Sequence, residues 1–224
     1  MSLPHNDEYP AVLAVWQEYR LLLVADPAFP SVAGIVAGEP IAGSWWGHPL
    51  GHPIFEINSR LAKHPDVIVV KLISGKVTFV HRDLWSDLVS VATAREPWQM
   101  DGLSAGARWL FEKVTEEREL HMNEVSLPKR AGNSPPGDAA RELERRLLVH
   151  AEQFHSERGA HAKRLQTWQH WAKQAGFVPE LKLPAESRQR FEKTLANLNE
   201  RFGAKASLPW NNTSGRKRKT DHGG

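Results

Sequence analysis

Apolar residues recur along this chain with two different periods, and the switches between them mark out the elements. Val12, Val15, Trp16 and Tyr19 lie on one helical face and predict a first helix over residues 9–22, ended by the turn-forming "DPAFP". Ser31 is placed to cap a short helix over residues 32–37, closed by Gly38 and Pro40. The glycines and prolines of "GSWWGHPLGHP" exclude a continuous helix as far as Gly51. Beyond it Pro53 suits a first helical turn, and Ile54, Ile57 and Leu61 repeat at helical spacing. The runs "VIVVKLI" and "KVTFVH", rich in β-branched residues and joined at Ser74-Gly75, predict a β-hairpin. A helix over residues 83–94 follows, with Leu84, Trp85, Leu88, Val91 and Ala92 inward.

Helix, short helix, third helix and hairpin is the order of a winged helix, and after the connector "EPWQMDG" the order returns. Ser104 can cap a helix striped by Ala107, Leu110, Phe111 and Val114; "LHMNEVSL" has the length of a second helical element; a third helix starts after Asp138 and passes through Leu143. The stretch "RLLVHAEQFHSERGAHAKRL" carries both periods. Leu143, Leu147, Ala151 and Phe154 suit one long helix, whereas Leu147, Val149 and Ala151 alternate as in a strand; the parallel with the first half favours a second wing turning near Gly159. A helix over residues 162–174 then carries Leu165, Trp168 and Ala172. The last helix, residues 185–202, aligns Phe191, Leu195, Leu198 and Phe202 in a narrow seam suited to its own domain or to a homodimer. Each hairpin also ends in a histidine followed by a Trp-bearing helix, "VHRDLW" and "AHAKRLQTW". The expected fold is therefore α+β, mainly α: tandem winged helix-turn-helix units over 1–97 and 98–178, a C-terminal helical extension over 179–210 and a disordered basic tail over 211–224.

Composition narrows the chemistry. The 224 residues include no cysteine, which removes disulfides, thiol nucleophiles and thiolate zinc sites. No apolar run reaches the roughly 20 residues needed to span a bilayer, and "MSLPHNDEYP" lacks the character of a leader, so a cytoplasmic location is expected. The net charge of +3 resides entirely in the tail, because Arg216, Lys217, Arg218 and Lys219 stand there against Asp221 alone. Binding of a polyanion must then rest on local clusters. One exists between Lys129 and Lys173, with nine basic against five acidic residues.

The combination "GSWWGHPLGHPIF", "VIVVKLISGKVTFVHRDLW", "REPWQMDGLS" and "ERRLLVHAEQFHSERGAHAKRLQTWQHWA" resembles an uncharacterised group of bacterial proteins, over roughly residues 9–172. The resemblance implies a bacterial source and no particular chemistry. The tandem architecture is also similar to the scaffold of bacterial alkylpurine DNA glycosylases. Those enzymes carry a Gln-x-Gln catalytic motif, and this chain contains none, so the scaffold alone does not imply their activity.

A winged helix presents its third helix to the DNA major groove and its wing to the backbone. In the first half that nominates Asn58, suited to adenine, Arg60, suited to guanine or phosphate, and Lys63, with Lys76 on the wing. In the second half it nominates Arg141, Arg145 and Arg146 on the third helix, with Arg158, Lys163 and Arg164 near the wing. About five phosphate contacts would give a slope of log affinity against log salt near −4.5. An alternative chemistry is zinc held by His150, Glu152 and His161 across the second hairpin, which would make the chain a DNA-processing enzyme; a third reading is a protein–protein adaptor. His48 and His52 invite comparison with a catalytic pair, but Ser44 is the only hydroxyl beside them. Their stretch reads better as a joint anchored by Trp45 and Trp46. No phosphate-loop or dinucleotide signature occurs. The expectation is a bacterial double-stranded-DNA-binding protein with no catalysis and no cofactor of its own.

Overall fold

In a computed structural model, which describes residues 8–41, 43–132, 135–155 and 161–211, the chain runs through two passes of similar order, the second without the short second α-helix of the first among its described residues. The first pass is α1 (Tyr9–Tyr19), β1 (Leu21–Leu23), α2 (Val32–Ala37), α3 (Gly51–Ala62), the hairpin β2 (Val67–Lys71) and β3 (Val77–His81), and α4 (Trp85–Ala92). A four-residue α5 (Pro97–Met100) connects it to the second: α6 (Ala105–Glu117), β4 (Glu119–His121), α7 (Pro136–Arg145), the hairpin β5 (His150–His155) and β6 (His161–Gln166), and α8 (Trp168–Gln174). α9 (Pro184–Phe202) closes the chain. Among the described residues helix far outweighs strand, so the protein is α+β and mainly helical.

Each pass makes one antiparallel three-stranded sheet with the hairpin's second strand in the middle: β1-β3-β2 and β4-β6-β5. The equivalence extends to single bonds. α1 ends at Arg20 and α6 at Arg118, both left-handed, with φ of 65° and 71°. The caps donate to Trp16 and Val114 respectively. The carbonyl of Arg20 accepts from His81 N–H and that of Arg118 from Thr167 N–H, each at 2.9 Å, which pins the short strand against the middle one.

Both anticipated serine caps form: Ser31 Oγ accepts from Gly34 N–H at 3.2 Å and Ser104 Oγ from Ala107 N–H at 3.1 Å. Four expectations shift. The first helix stops at Tyr19, because Leu21–Leu23 are all buried and pair with β3, which outweighs continuation of the helical stripe. Residues 119–121 form β4 where a second helical element was expected. Residues 161–166 form β6, so the following helix begins only at Trp168, and β5 excludes one long helix through Leu143, Leu147, Ala151 and Phe154. The structural counterpart of His81 is consequently Thr167, not His161. Trp171, four residues on, is the counterpart of Trp85, and their rings meet edge to face at 5.2 Å.

The core does not divide at the expected domain boundary. One apolar cluster unites Leu21, Ile68, Leu84 and Trp85 of the first pass with Leu147, Trp168 and Trp171 of the second and with Phe191, Leu195 and Leu198 of α9. The α9 seam is thus spent inside the chain against α4, which removes it as the surface of a dimer. Polar ties follow the same plan. Buried Glu144 on α7 pairs with Lys71 of β2 at 3.0 Å and with Lys163 of β6. Buried Asp87 on α4 holds Arg190 of α9 at 2.6 Å and Lys182 at 3.3 Å. Gln99, fully buried, donates to the carbonyls of Ala92 and Arg146, each at 3.1 Å. No helix among the described residues is long and apolar enough to cross a membrane.

Candidate nucleic-acid interface

Most of the cations that the sequence nominates for phosphate are occupied. Lys76 bonds Asp26 at 2.6 Å, Arg141 bonds Asp138, Lys163 bonds Glu144, and Arg164 bonds Glu152 and, at 3.5 Å, Glu119. Arg146 donates from one nitrogen to the carbonyls of Trp98, Gln99 and Asp101, the last at 2.7 Å, and its other end faces Glu142 at 3.4 Å. It is a clamp on the connector. Asn58 turns its amide back onto the Ile54 carbonyl at 2.9 Å and buries its oxygen, so it is not displayed to a base edge. Arg60 lies over the Tyr9 ring at 3.8 Å. Lys63 and Arg145 are exposed and make no ion pair among the described residues. Arg158 lies outside the described residues, as do the basic tail and the turn at Gly159.

The histidine readings also change. β5 and β6 pair His150 with Gln166, Glu152 with Arg164 and His155 with His161. His150 is therefore five strand positions from the residue opposite His161, about 16 Å along the hairpin, too far to share an ion. No group of three metal-ligating side chains occurs among the described residues. Burial drives the His150 pKa down to about 4, and its Nδ1 faces Gln166 Oε1 at 3.4 Å. It is a neutral core histidine packed beside Trp168 and Trp171. His48 and His52 do not converge: His48 Nδ1 accepts from Leu50 N–H at 3.2 Å, closing its own turn, while exposed His52 sits 3.2 Å from Glu56. Trp45 and Trp46 stack at 4.1 Å, but Trp46 is 63% exposed, so the pair anchors less of the core than expected.

Where charge does gather is a cleft of about 390 Å³ at the junction of the two passes, between the ends of α4 and α6 and the face of α8. Arg95, Arg118, His170 and Lys173 line it with Phe111 and Trp168, and no carboxylate does. Arg95, Arg118 and Lys173 are exposed and make no ion pair among the described residues. Arg95 lies over the Phe111 ring at 5.3 Å, which holds its guanidinium at the cleft wall. His170 faces Glu119 at 3.4 Å from the side.

The internal repeat explains why Arg118 is open. Its counterpart Arg20 is neutralised by Asp83 at 2.9 Å, two residues beyond His81. Two residues beyond Thr167, the same place holds Gln169, an uncharged side chain that lines the cleft. Arg95 and Arg118 both have left-handed backbones, at φ 52° and 71°. Glycine fills such positions without the roughly 1–2 kcal/mol that a Cβ costs there. Arg118 shares its conformation with Arg20, so there it belongs to the repeated helix end, and the two passes differ in the charge beside it and not in the backbone. Arg95 and Arg118 are 23 positions apart and belong to no cluster along the chain, and Lys173, 55 positions beyond Arg118, only ends the basic run that starts at Lys129. The signal available was the Asp83-to-Gln169 difference, legible only after the repeat is registered on Thr167.

No protein-family model, curated protein or solved structure matches this chain.

Proposed function

We propose that the protein is a tandem winged-helix, nucleic-acid-associated module that holds strand phosphates in the cleft between its halves and performs no catalytic step there. The repeated element order and the central placement of each hairpin's second strand support the winged-helix reading. The observation that carries the binding reading is the convergence of Arg95, Arg118 and Lys173 on a cleft that no carboxylate lines. Arginine supplies a planar fork for phosphate oxygens and lysine a point charge.

Three phosphate contacts give a slope of log affinity against log salt near −2.7, shallower than the −4.5 that five contacts would give. Fluorescence anisotropy of a labelled duplex and of its single strand, at several salt concentrations, measures it. Q169D installs beside Arg118 the carboxylate that its counterpart Arg20 already has, and should lower the magnitude of the slope by about 0.9 while leaving the arginine in place. K76A should leave the slope unchanged. Binding with no salt dependence, or a slope indifferent to Q169D and to R95A, would defeat the proposal.

A further inference from the structure

Between α8 and α9 residues 177–183 cross α4, and the spacing of their two amide contacts is that of an extended strap, with Leu183 itself extended at φ −61° and ψ 129°. Glu180 N–H donates to Ser86 Oγ at 3.1 Å and Lys182 N–H to Ser90 Oγ at 3.0 Å. The spacing is matched: one turn of α4 separates the serines by about 6 Å, and two extended residues rise by about 6.6 Å. Extended backbone that turns the 180 and 182 amides onto α4 turns those of Leu181 and Leu183 the other way, and neither donates to any described residue. Their side chains are out as well, Leu181 at 65% and Leu183 at 66% exposed. An exposed edge with free amides and apolar side chains is a template for another strand.

We infer that this strap pairs antiparallel with the strap of a second copy of the chain, about a two-fold axis through Leu181. Three features of the strap select its own copy over another peptide. The first is charge: in the order Glu180, Leu181, Lys182, pairing about Leu181 sets each Glu180 opposite the other copy's Lys182, whose ammonium shares the single Asp87 carboxylate with Arg190 and is therefore not neutralised by it. The second is hydrogen bonding, because the outward N–H and C=O of Leu181 face the same groups of the other Leu181. The third lies one step out, where Leu183 N–H meets the Pro179 carbonyl of the other copy. Proline has no N–H to return, and the Leu183 carbonyl is already taken by Ser187 N–H at 3.1 Å. All four outward bonds are then made and none is left without a partner. A register shifted by one residue would put the serine-bound amides at the seam and like charges across it.

The chain's lack of cysteine makes the register directly measurable. In the paired state two Leu181 Cα atoms stand about 5.5 Å apart, within disulfide range, whereas two Val178 residues are separated by about 20 Å. Full-length L181C should therefore form a covalent dimer under mild oxidation at about 50 µM, and V178C, whose site is 91% exposed, should not. In sedimentation velocity the unmodified chain should run as a dimer. E180K, which leaves the Lys182–Asp87 contact intact, should weaken the dimer at least tenfold, and an equimolar mixture of E180K and K182E should restore it as a heterodimer. A chain monomeric at several hundred micromolar would overturn the inference. So would cross-linking of L181C no faster than V178C, or a dimer indifferent to E180K. Circular dichroism of each variant separates loss of pairing from loss of fold, and E180K with L181C decides the matter if K182E does not fold.

Discussion

Replacing His150 by phenylalanine should remove a specific acid sensitivity from the fold. An unperturbed histidine titrates near 6.5, and in the folded protein burial holds His150 down to about 4. Above pH 6.5 the ring is neutral in both states and its contribution to stability is complete. Between 6.5 and 4 only the unfolded chain takes up the proton, so stability falls as pH falls, by about 1.4 kcal/mol for each pH unit crossed. The whole window amounts to about 3 kcal/mol, and below pH 4 the effect levels off. His81, which burial also lowers, and carboxylates such as Glu119 and Asp26, whose partners lower them, titrate in the same experiment. They are common to both proteins and cancel in the difference. Urea denaturation followed by far-ultraviolet circular dichroism, at half-unit steps from pH 7.5 to 4, gives that difference directly. Phenylalanine forfeits the contact with Gln166, so H150F should be the less stable protein at pH 7.5, and the gap should move in its favour by about 3 kcal/mol by pH 4. A gap constant across the range would refute the account of His150 as a ring held neutral by burial.

Three further outcomes follow from the fold and the cleft. E144A strands Lys71 and Lys163 at the junction of the two halves and should cost on the order of 3 kcal/mol in urea denaturation, as loss of one partner of a buried ion pair does. R118G should raise stability by about 1 kcal/mol, since glycine adopts φ 71° freely, while weakening duplex binding; a variant both less stable and equally tight would contradict the assignment. R146A should lower the melting temperature through loss of its three carbonyl contacts yet leave the salt slope of binding unchanged, because that guanidinium is internal.

Local pattern carried the elements well wherever burial followed a single period. The Ser31 and Ser104 caps, the hairpin of β2 and β3, the third helices and the seam of α9 were all legible from spacing and cap chemistry. The failures share a cause. Leu21–Leu23 and Glu119–His121 are strands only because the middle strand of each sheet, distant in sequence, offers them an edge. Residues 161–166 carry charged and apolar side chains in a mixture that either period accommodates, and pairing with β5 decides for strand. The site was harder still. Counting charges cannot tell a cation that faces solvent from one that faces Glu144 or Asp26, and most of the nominated residues are of the second kind. Even α9, whose seam was read correctly as apolar, gave no sign of whether it would cover α4 or a second molecule.

The packing of Trp85, Trp168 and Trp171 at the joint of the two halves gives the protein an optical property of its own. Trp171 lies 5.2 Å from Trp85 and 5.8 Å from Trp168, so these indoles exchange excitation much faster than they emit. They are shielded from a dissolved quencher, whereas Trp46 stands largely in solvent. Iodide should therefore silence Trp46 first, while the shielded indoles, those of the joint together with Trp16, keep emitting and so report on whether the fold stays closed around them.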